Sequence, residues 1–529
     1  MLVLAVVALF TLMPAAAVAQ PFLTAADVMD ITRTAATAIS PTSIVIAVVD
    51  RAGEVLGVYE GTAGASAAFI NGNITQQLYQ GGPPAGVAGV PAGDYAVGLA
   101  RTGAFFSNNN APLSSRTVRF ISGIHFPPGI ENKPPAALYG IENTNRGCDF
   151  NVAIAGIPRA TSLNGAACGP GPGAITGCGT GIVTGKADIF DSDPATVDGG
   201  GVPVFKGGVL VGGVGVTGVG IDKNATEFAA FAGSIPGPGF GPRPADPGVI
   251  YLDGIALPFV KNTKRPAGVG PGIFNAAGFV VGPIPSTNGA AGVPKGYLVG
   301  PAASADGKLS AANVNTIVGR GIDEARRTRA AIRLPIGTTT QMVFAVSDLA
   351  GNIVALYRME DATIFSIDVA VAKARNAVYF SSRTRDPRDI PGVPLGTSIT
   401  ARTISFGAQP LYPAGIDRTK PGPFFGDFVL DVFNPCSQGF APAAATQSGI
   451  VFFPGSIGLY SGTDVIGGIG VSGDGVEQDD FVTASTVAQI NCPLCAPNWT
   501  PPLSIRADRV IIGDVRLPYF KFPRNPEVR

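Results

Sequence analysis

The strongest constraint on this chain is an internal repeat, because matching segments follow one another in the same order in both halves of the sequence. Self-similarity of this kind predicts two copies of one structural unit. A stretch rich in Gly, Pro and Ala, residues 267–306, separates the copies. The matching pairs are 23–28 with 309–314, 47–59 with 345–357, 94–106 with 368–380, 209–220 with 465–475, and 252–259 with 512–519.

Both copies predict the same local elements. Thr24 and Ser310 stand where an N-cap would begin an amphipathic helix. Residues 47–59 and 345–357 each contain an apolar run, an Asp-x-x-Gly turn and a second run, which predicts a β-hairpin. Residues 94–106 and 368–380 carry apolar residues at helical spacing, so we expect a second helix in each unit that packs on the sheet.

These elements predict an α+β fold with two homologous domains, each an antiparallel sheet with helices packed on one face. The domains would be residues 20–266 and 307–529, with 267–306 as the connector. Two homologous units on one chain most simply pack as a pseudo-symmetric dimer. Each unit ends in a short arm containing proline, which we expect to lie across a neighbouring unit.

The first 19 residues predict a signal peptide, because they are apolar and end in small residues. Ala17 and Ala19 fit a signal-peptidase site, with cleavage before Gln20. The alternative is an uncleaved anchor helix, which Pro14 and the alanine-rich end disfavour. No other stretch predicts a membrane helix, so we expect a periplasmic or secreted protein.

The cysteines suggest disulfides, since export places them in an oxidising compartment. Cys168 and Cys178 bracket a Gly/Pro-rich loop and could pair with each other. Cys492 and Cys495 form a CxxC, which could instead be a redox or metal site. Six cysteines allow 15 pairings, so the connectivity stays open. The full set is Cys148, Cys168, Cys178, Cys436, Cys492 and Cys495.

Charge and histidine content exclude several functions. Lys and Arg number 37, and Asp and Glu number 37, so no cationic surface is expected to drive binding of nucleic acid. A single histidine excludes a bis-histidine haem or a multi-histidine zinc centre within one chain.

Motifs of the second unit resemble the GlcG/HbpS-like haem-binding family, which also occurs as the C-terminal part of PduO-type proteins. The similar segments are YRMEDA at 357–362, AKAR at 372–375 and GGIGVSG at 467–473. The first unit resembles the family less closely, with Leu99 in place of Lys373. The resemblance implies a small α+β fold that forms homo-oligomers and binds haem or a related tetrapyrrole.

The resemblance also implies a ligand site in the second unit, formed by Arg358, Asp361, Lys373 and Arg375. Lys373 and Arg375 could pair with haem propionates, since Arg presents a fork that matches two carboxylate oxygens. The alternative is that both belong to the solvated face of an amphipathic helix.

His125 lies in a turn-forming stretch and is the sole candidate for histidine ligation of haem iron. The second unit has Leu411 at the equivalent place, so at most one unit could use such a ligand. The alternative is a structural histidine.

Two further motifs have simpler explanations. Gly213-x-Gly215-x-x-Gly218 and its counterpart at 468–473 match the dinucleotide fingerprint, but the preceding strand belongs to a hairpin. Close backbone packing explains these glycines better. Acids at residues 474–480 could hold calcium, although acidic residues in the first turn of a helix favour its dipole anyway.

The sequence therefore predicts a secreted or periplasmic binding protein for haem or a related tetrapyrrole, with a role in transport, sensing or as an accessory protein. The alternative is a non-catalytic structural or assembly protein whose duplicated domains no longer bind a ligand. An enzyme remains open, although the chain has no Gly-x-Ser-x-Gly, His-Glu-x-x-His or P-loop motif.

Overall fold

The computed structural model describes residues 20–70, 90–141, 144, 148, 150–158, 163, 182–183, 197–241, 249–433, 436–442, 444–488 and 497–527. The predicted signal peptide, residues 1–19, lies outside the described residues. The same holds for Cys168, Cys178, Cys492 and Cys495, so any pairing among them stays a prediction.

Helices and strands alternate in a similar order in the two halves of the chain. The helices are α1 (Ala25–Ala38), α2 (Ala92–Phe106), α3 (Ser115–Phe120), α4 (Lys223–Ser234), α5 (Ala311–Ala325), α6 (Phe365–Ser381), α7 (Ala401–Gly407), α8 (Phe425–Phe433) and α9 (Val476–Ala488). The strands are β1 (Ile44–Asp50), β2 (Val55–Glu60), β3 (Phe69–Ile70), β4 (Val90–Pro91), β5 (Gly201–Lys206), β6 (Val209–Gly218), β7 (Tyr251–Leu252), β8 (Ile255–Ala256), β9 (Phe279–Val281), β10 (Gly296–Val299), β11 (Val343–Ser347), β12 (Ile353–Arg358), β13 (Ser456–Ser461), β14 (Asp464–Ser472), β15 (Ile511–Ile512) and β16 (Val515–Arg516).

Two five-stranded antiparallel sheets form the framework, with orders β5-β6-β1-β2-β9 and β13-β14-β11-β12-β10. The predicted hairpins are β1–β2 and β11–β12, and the predicted N-caps are confirmed, since Thr24 and Ser310 accept hydrogen bonds from backbone amides of α1 and α5. The α+β class is therefore confirmed.

The helices cover both faces of each sheet, whereas the sequence prediction placed them on one face. Alternate residues of β1 divide between two layers: Val45, Ala47 and Val49 face the core that contains α2. Ile44, Ile46 and Val48 share a second core with α1 and α4. Every residue of β1 is buried as a result. In the second half α6 covers one face, while α5 and α9 lie on the other.

Residues 267–306 do more than connect the units. β9 pairs with β2 at the edge of the first sheet, and β10 pairs with β12 at the edge of the second. The segment therefore supplies one edge strand to each sheet, which its Gly- and Pro-rich composition did not predict.

The trailing arms hold to their own units, contrary to the expectation that they lie across a neighbour. Thr117 Oγ1 of α3 donates to Pro258 O at 2.6 Å, and Thr403 Oγ1 of α7 donates to Pro518 O at 2.7 Å. The two contacts are equivalent in the two units, and each anchors the arm beside the short helix that precedes it.

The two units meet through the ends of α2 and α6. The rings of Phe106 and Phe365 stack with their centroids 4.2 Å apart, and Ile364 N donates to Phe105 O at 3.1 Å. A disulfide between Cys148 and Cys436 joins segments 288 residues apart. Within the described ranges, no helix combines the length and the apolarity that a membrane span needs.

Candidate functional site

A cavity between the two units, called the larger cavity below, has a volume of about 670 Å³. This volume lies within the range of about 300 to 1,000 Å³ that is usual for small-molecule sites. Both units contribute to its walls, which combine the stacked phenylalanines with other apolar side chains. The apolar lining includes Phe106, Leu113, Ile121, Leu138, Phe365 and Phe453.

Buried carboxylates form the wall on the side of the second unit. The turn between β14 and α9 places Asp474 at the cavity, and the first turn of α9 adds Asp479. Asp474 forms an ion pair with Arg333 at 2.5 Å, and Asp479 with Lys373 at 2.9 Å. Asp474 and Asp479 are therefore each paired with a buried basic residue.

Asp479 has one carboxylate oxygen that accepts no hydrogen bond from the described residues. Its Oδ2 accepts from Lys373, while its Oδ1 is buried and has no hydrogen-bond partner among the described residues. Burial raises the pKa of Asp479 to about 7, although the charge of Lys373 opposes the shift. The side chain can therefore take up or release a proton near neutral pH.

Basic side chains stand at the opening of the larger cavity. Lys521 and Arg524 are both exposed and belong to the last segment of the chain. Lys521 pairs with Glu477, which lies in the first turn of α9. An opening with these groups can receive the carboxylates of an otherwise apolar ligand.

Lys373 and Arg375 are buried side chains of α6, and neither belongs to a solvated face. Lys373 Nζ donates to Val471 O at 2.8 Å as well as to Asp479. Arg375 donates to Gly351 O at 2.8 Å and to Asn151 Oδ1 at 2.7 Å, which ties α6 to a segment of the first unit. Lys373 does not line the larger cavity itself, but it contacts two residues that do, Asp479 and Phe453.

Arg358 and Asp361 lie at a second, smaller cavity of about 360 Å³. Asp361 pairs with Arg51 at 2.6 Å and with Arg333 at 2.7 Å. Arg333 also binds Asp474, so its guanidinium stands between the two cavities. The structure therefore divides the four predicted residues of the second unit among separate places.

His125 lines neither cavity. Its Nε2 lies 2.8 Å from Asp417 Oδ1, and its Nδ1 contacts the carbonyl oxygen of Lys133. Asp417 belongs to the second unit, so the histidine forms a polar contact between the halves. Both ring nitrogens face protein oxygen atoms, and the structure does not bring His125 to the other predicted site residues.

The glycine motifs serve close packing between strand and helix. A Cβ added at Gly215 would lie 1.9 Å from Ala96 O of α2, and one at Gly470 would lie 2.1 Å from Ala370 O of α6. Only glycine lets each helix approach its sheet so closely. The packing interpretation of these motifs is therefore confirmed, and the glycines come from a hairpin strand in both sheets.

Sequence reasoning missed Arg51 and Arg333, which no local motif marks. Arg51 lies 310 residues from its partner Asp361, and Arg333 lies in a loop between α5 and β11. Only the fold selects these partners. The sequence analysis noted Asp479 only as one of the acidic residues at 474–480, and not as the partner of Lys373. Within the described ranges, no group of His, Cys, Asp and Glu side chains forms a metal site.

The fold and the larger cavity define a class of protein, an α+β protein with a cavity between two sheet units. Within the second unit, residues 322–488 match the family model described as haem degrading protein HbpS-like. This match confirms the family resemblance seen in the sequence. It runs from within α5 to the end of α9 and includes the carboxylate wall of the larger cavity.

Comparison with solved structures gives two further similarities. Klebsiella pneumoniae protein ORFY is 20% identical, with 35% of this chain and 90% of that chain covered and a TM-score of 0.23. The PduOC:haem complex is 21% identical, with 35% and 95% covered and a TM-score of 0.22. No curated protein matches the chain.

Proposed function

We propose that the larger cavity binds haem or a related tetrapyrrole. The observation that carries the proposal is the cavity itself, which combines apolar walls from both units with Lys521 and Arg524 at its opening. A tetrapyrrole has two apolar ring faces and carboxylates at one edge, so its chemistry matches this lining. The family match of residues 322–488 supports the same ligand class.

The described residues that line the larger cavity can pack against a tetrapyrrole ring, but they do not include the usual ligands of haem iron. None of the described residues that line it is a His, Cys, Met or Tyr, the usual axial ligands of haem iron. The ring would be held by packing against Phe106 and Phe365, and its carboxylates by Lys521 and Arg524. When bound, haem would supply an iron centre, and Asp479 would offer it only a carboxylate oxygen.

Titration with haem and with metal-free protoporphyrin tests this proposal. We expect both to bind saturably and with dissociation constants within about tenfold of each other, because the ring faces and carboxylates supply most of the contacts. Replacing Ala137, which lines the cavity, by tryptophan should weaken both by at least about tenfold. Absorbance and fluorescence quenching measure the two titrations.

Ala277→Trp is the matched control, because Ala277 is exposed and lines neither cavity. It should bind both ligands as the unchanged protein does. Absence of saturable binding at micromolar concentration would contradict the proposal and would favour the structural or assembly role.

The two units are, we propose, tandem copies in which only the second keeps the buried Lys373–Asp479 pair. The equivalent sheet orders and the equivalent arm contacts support this interpretation. Leu99 occupies the position of Lys373 in the first unit and is buried without a charge. The asymmetry is consistent with a single ligand cavity rather than one for each unit.

Export is the remaining part of the proposal, and we place the mature N-terminus at Gln20. Support comes from Ala17 and Ala19 at the predicted cleavage site, together with the Cys148–Cys436 disulfide, a bond typical of oxidising compartments. Mass spectrometry of protein from its native compartment should find a chain that begins at Gln20. A chain that retains the preceding residues would contradict cleavage.

A further inference from the structure

The smaller cavity has a buried guanidinium, that of Arg358, which forms no ion pair with a carboxylate of the described residues. Arg358, the last residue of β12, is fully buried. Its Nε and Nη2 donate to Ala362 O at 3.0 and 2.6 Å, and its Nη1 donates to Pro294 O at 3.1 Å. Among the described residues, no carboxylate lies within ion-pair distance of this guanidinium. A buried charge without an ion-pair partner is costly, so an anion bound beside Arg358 would stabilise this place.

The acids beside Arg358 are already committed to other groups. Asp361 Oδ1 accepts from Arg51, and its Oδ2 accepts from Arg333 and from the amide of Asn109. Asp474 binds the opposite side of Arg333. Three guanidinium groups therefore share two carboxylates, and one positive charge remains.

Arg358 keeps its charge near neutral pH. Burial, followed by the nearby charges of Arg51 and Arg333, lowers its pKa to about 9. The group is therefore still protonated at pH 7. Lys295 and Glu360 also line the cavity, but they pair with each other and are mostly exposed, so they add no net charge.

A further donor in the smaller cavity has no partner. Arg51 follows β1 directly, and its Nη2 donates to Asp361 at 2.6 Å. Its Nε is buried and has no hydrogen-bond partner among the described residues. A guanidinium with an unused donor beside a cavity is suited to an oxyanion, because its planar fork matches two oxygen atoms.

We propose that the smaller cavity binds a small oxyanion, a carboxylate or a phosphate, between Arg51 of the first unit and Arg358 of the second. The anion would supply a counter-charge to both guanidinium groups, and the Arg51 side chain, which lines the cavity and is 12% exposed, is the part that a ligand can reach. The smaller cavity has a volume of about 360 Å³, which is enough for a small anion. The site is separate from the larger cavity, and its ligand does not depend on tetrapyrrole binding.

Isothermal titration of the mature protein with inorganic phosphate and with malonate tests the site, with sodium chloride at equal ionic strength as the reference. We expect at least one anion to bind saturably with a dissociation constant below about 1 mM. Arg51→Gln should weaken that binding by at least about tenfold, since it removes the free donor and a charge. Arg51→Lys keeps the charge and the pairing with Asp361, so its dissociation constant should lie between those of the unchanged protein and of Arg51→Gln.

Arg33→Gln is the matched control, because Arg33 is an exposed arginine of α1 that pairs with Asp30 away from both cavities. It should bind the anions as the unchanged protein does. Binding of phosphate alone identifies a phosphate site, and binding of malonate alone identifies a carboxylate site. No binding beyond the chloride reference, or equal binding by Arg51→Gln, would overturn the proposal. Arg51 does not line the larger cavity, so a haem titration of Arg51→Gln reports on the proposed function separately.

Discussion

Replacing Lys373 by leucine is expected to lower the free energy of unfolding by about 3 to 5 kcal/mol at pH 8, the usual cost of removing one partner from a buried ion pair. Lys373 and Asp479 are both almost fully inaccessible, and their charged atoms lie 2.9 Å apart. Without the ammonium group, the Asp479 carboxylate loses its buried counter-charge. Urea denaturation measures the change.

The loss should be larger at pH 8 than at pH 5. Burial already raises the pKa of Asp479 from its ordinary value to about 7, so the folded protein holds this proton at pH values where the unfolded chain has released it. The contribution of this group to stability therefore falls as the pH rises from about 4 to 7. Removing Lys373 raises the pKa of Asp479 further, so the folded variant must take up a proton at pH 8, whereas at pH 5 the carboxyl is already neutral.

A second substitution separates the charge effect from lost packing. Adding Asp479→Asn to Lys373→Leu removes both charges and should recover part of the lost stability at pH 8. The exposed pair of Arg33 and Asp30 provides the control, since Arg33→Gln should change stability by less than about 1 kcal/mol. If Lys373→Leu lowers the free energy of unfolding by the same amount at pH 5 and pH 8, then Lys373 does not stabilise the protein through its ion pair with Asp479.

Removing the Cys148–Cys436 disulfide is expected to have the second large effect. The bond closes a separation of 288 residues. Loop-closure entropy for a loop of that length predicts a loss on the order of 5 kcal/mol, as an upper value because engineered changes usually deliver less. The double variant Cys148→Ser, Cys436→Ser should therefore unfold at a clearly lower denaturant concentration.

The serine variants are needed because a reductant also acts on any other disulfide. Dithiothreitol should shift the unfolding midpoint of the unchanged protein toward that of the double variant. If the two proteins unfold at the same midpoint under oxidising conditions, the bond does not stabilise the folded chain. A single variant, Cys148→Ser, would add a free thiol and is the poorer comparison.

Most of the fold could be predicted from sequence patterns that extend over only a few residues. The hairpins β1–β2 and β11–β12, the N-caps Thr24 and Ser310, and the helices α2 and α6 depend on spacings of a few residues. Such spacings are visible in a sequence because they reflect the period of a helix or a strand. The edge strands β9 and β10 were missed because glycine and proline hide the alternation of buried and exposed residues.

The candidate sites depended on distant pairings. Lys373 and Arg375 were predicted to bind one ligand together, but they contact separate partners, Asp479 and Asn151. Arg358 and Asp361 were predicted together and do lie at one cavity, yet Arg51 and Arg333 complete it from elsewhere. His125 contacts Asp417, which no spacing in the sequence indicates.

The sequence by itself determined the order of the matching segments, the α+β class and the residue types that carry charge, since these follow from order and period along the chain. Only the tertiary structure decided which charges meet. Asp361 has Arg51 as its partner across 310 residues, and Cys148 has Cys436 across 288. The physical reason is that an ion pair or a disulfide forms where packed elements bring two groups within a few ångströms, and that distance is set by the packing of whole sheets and helices rather than by any neighbouring residue.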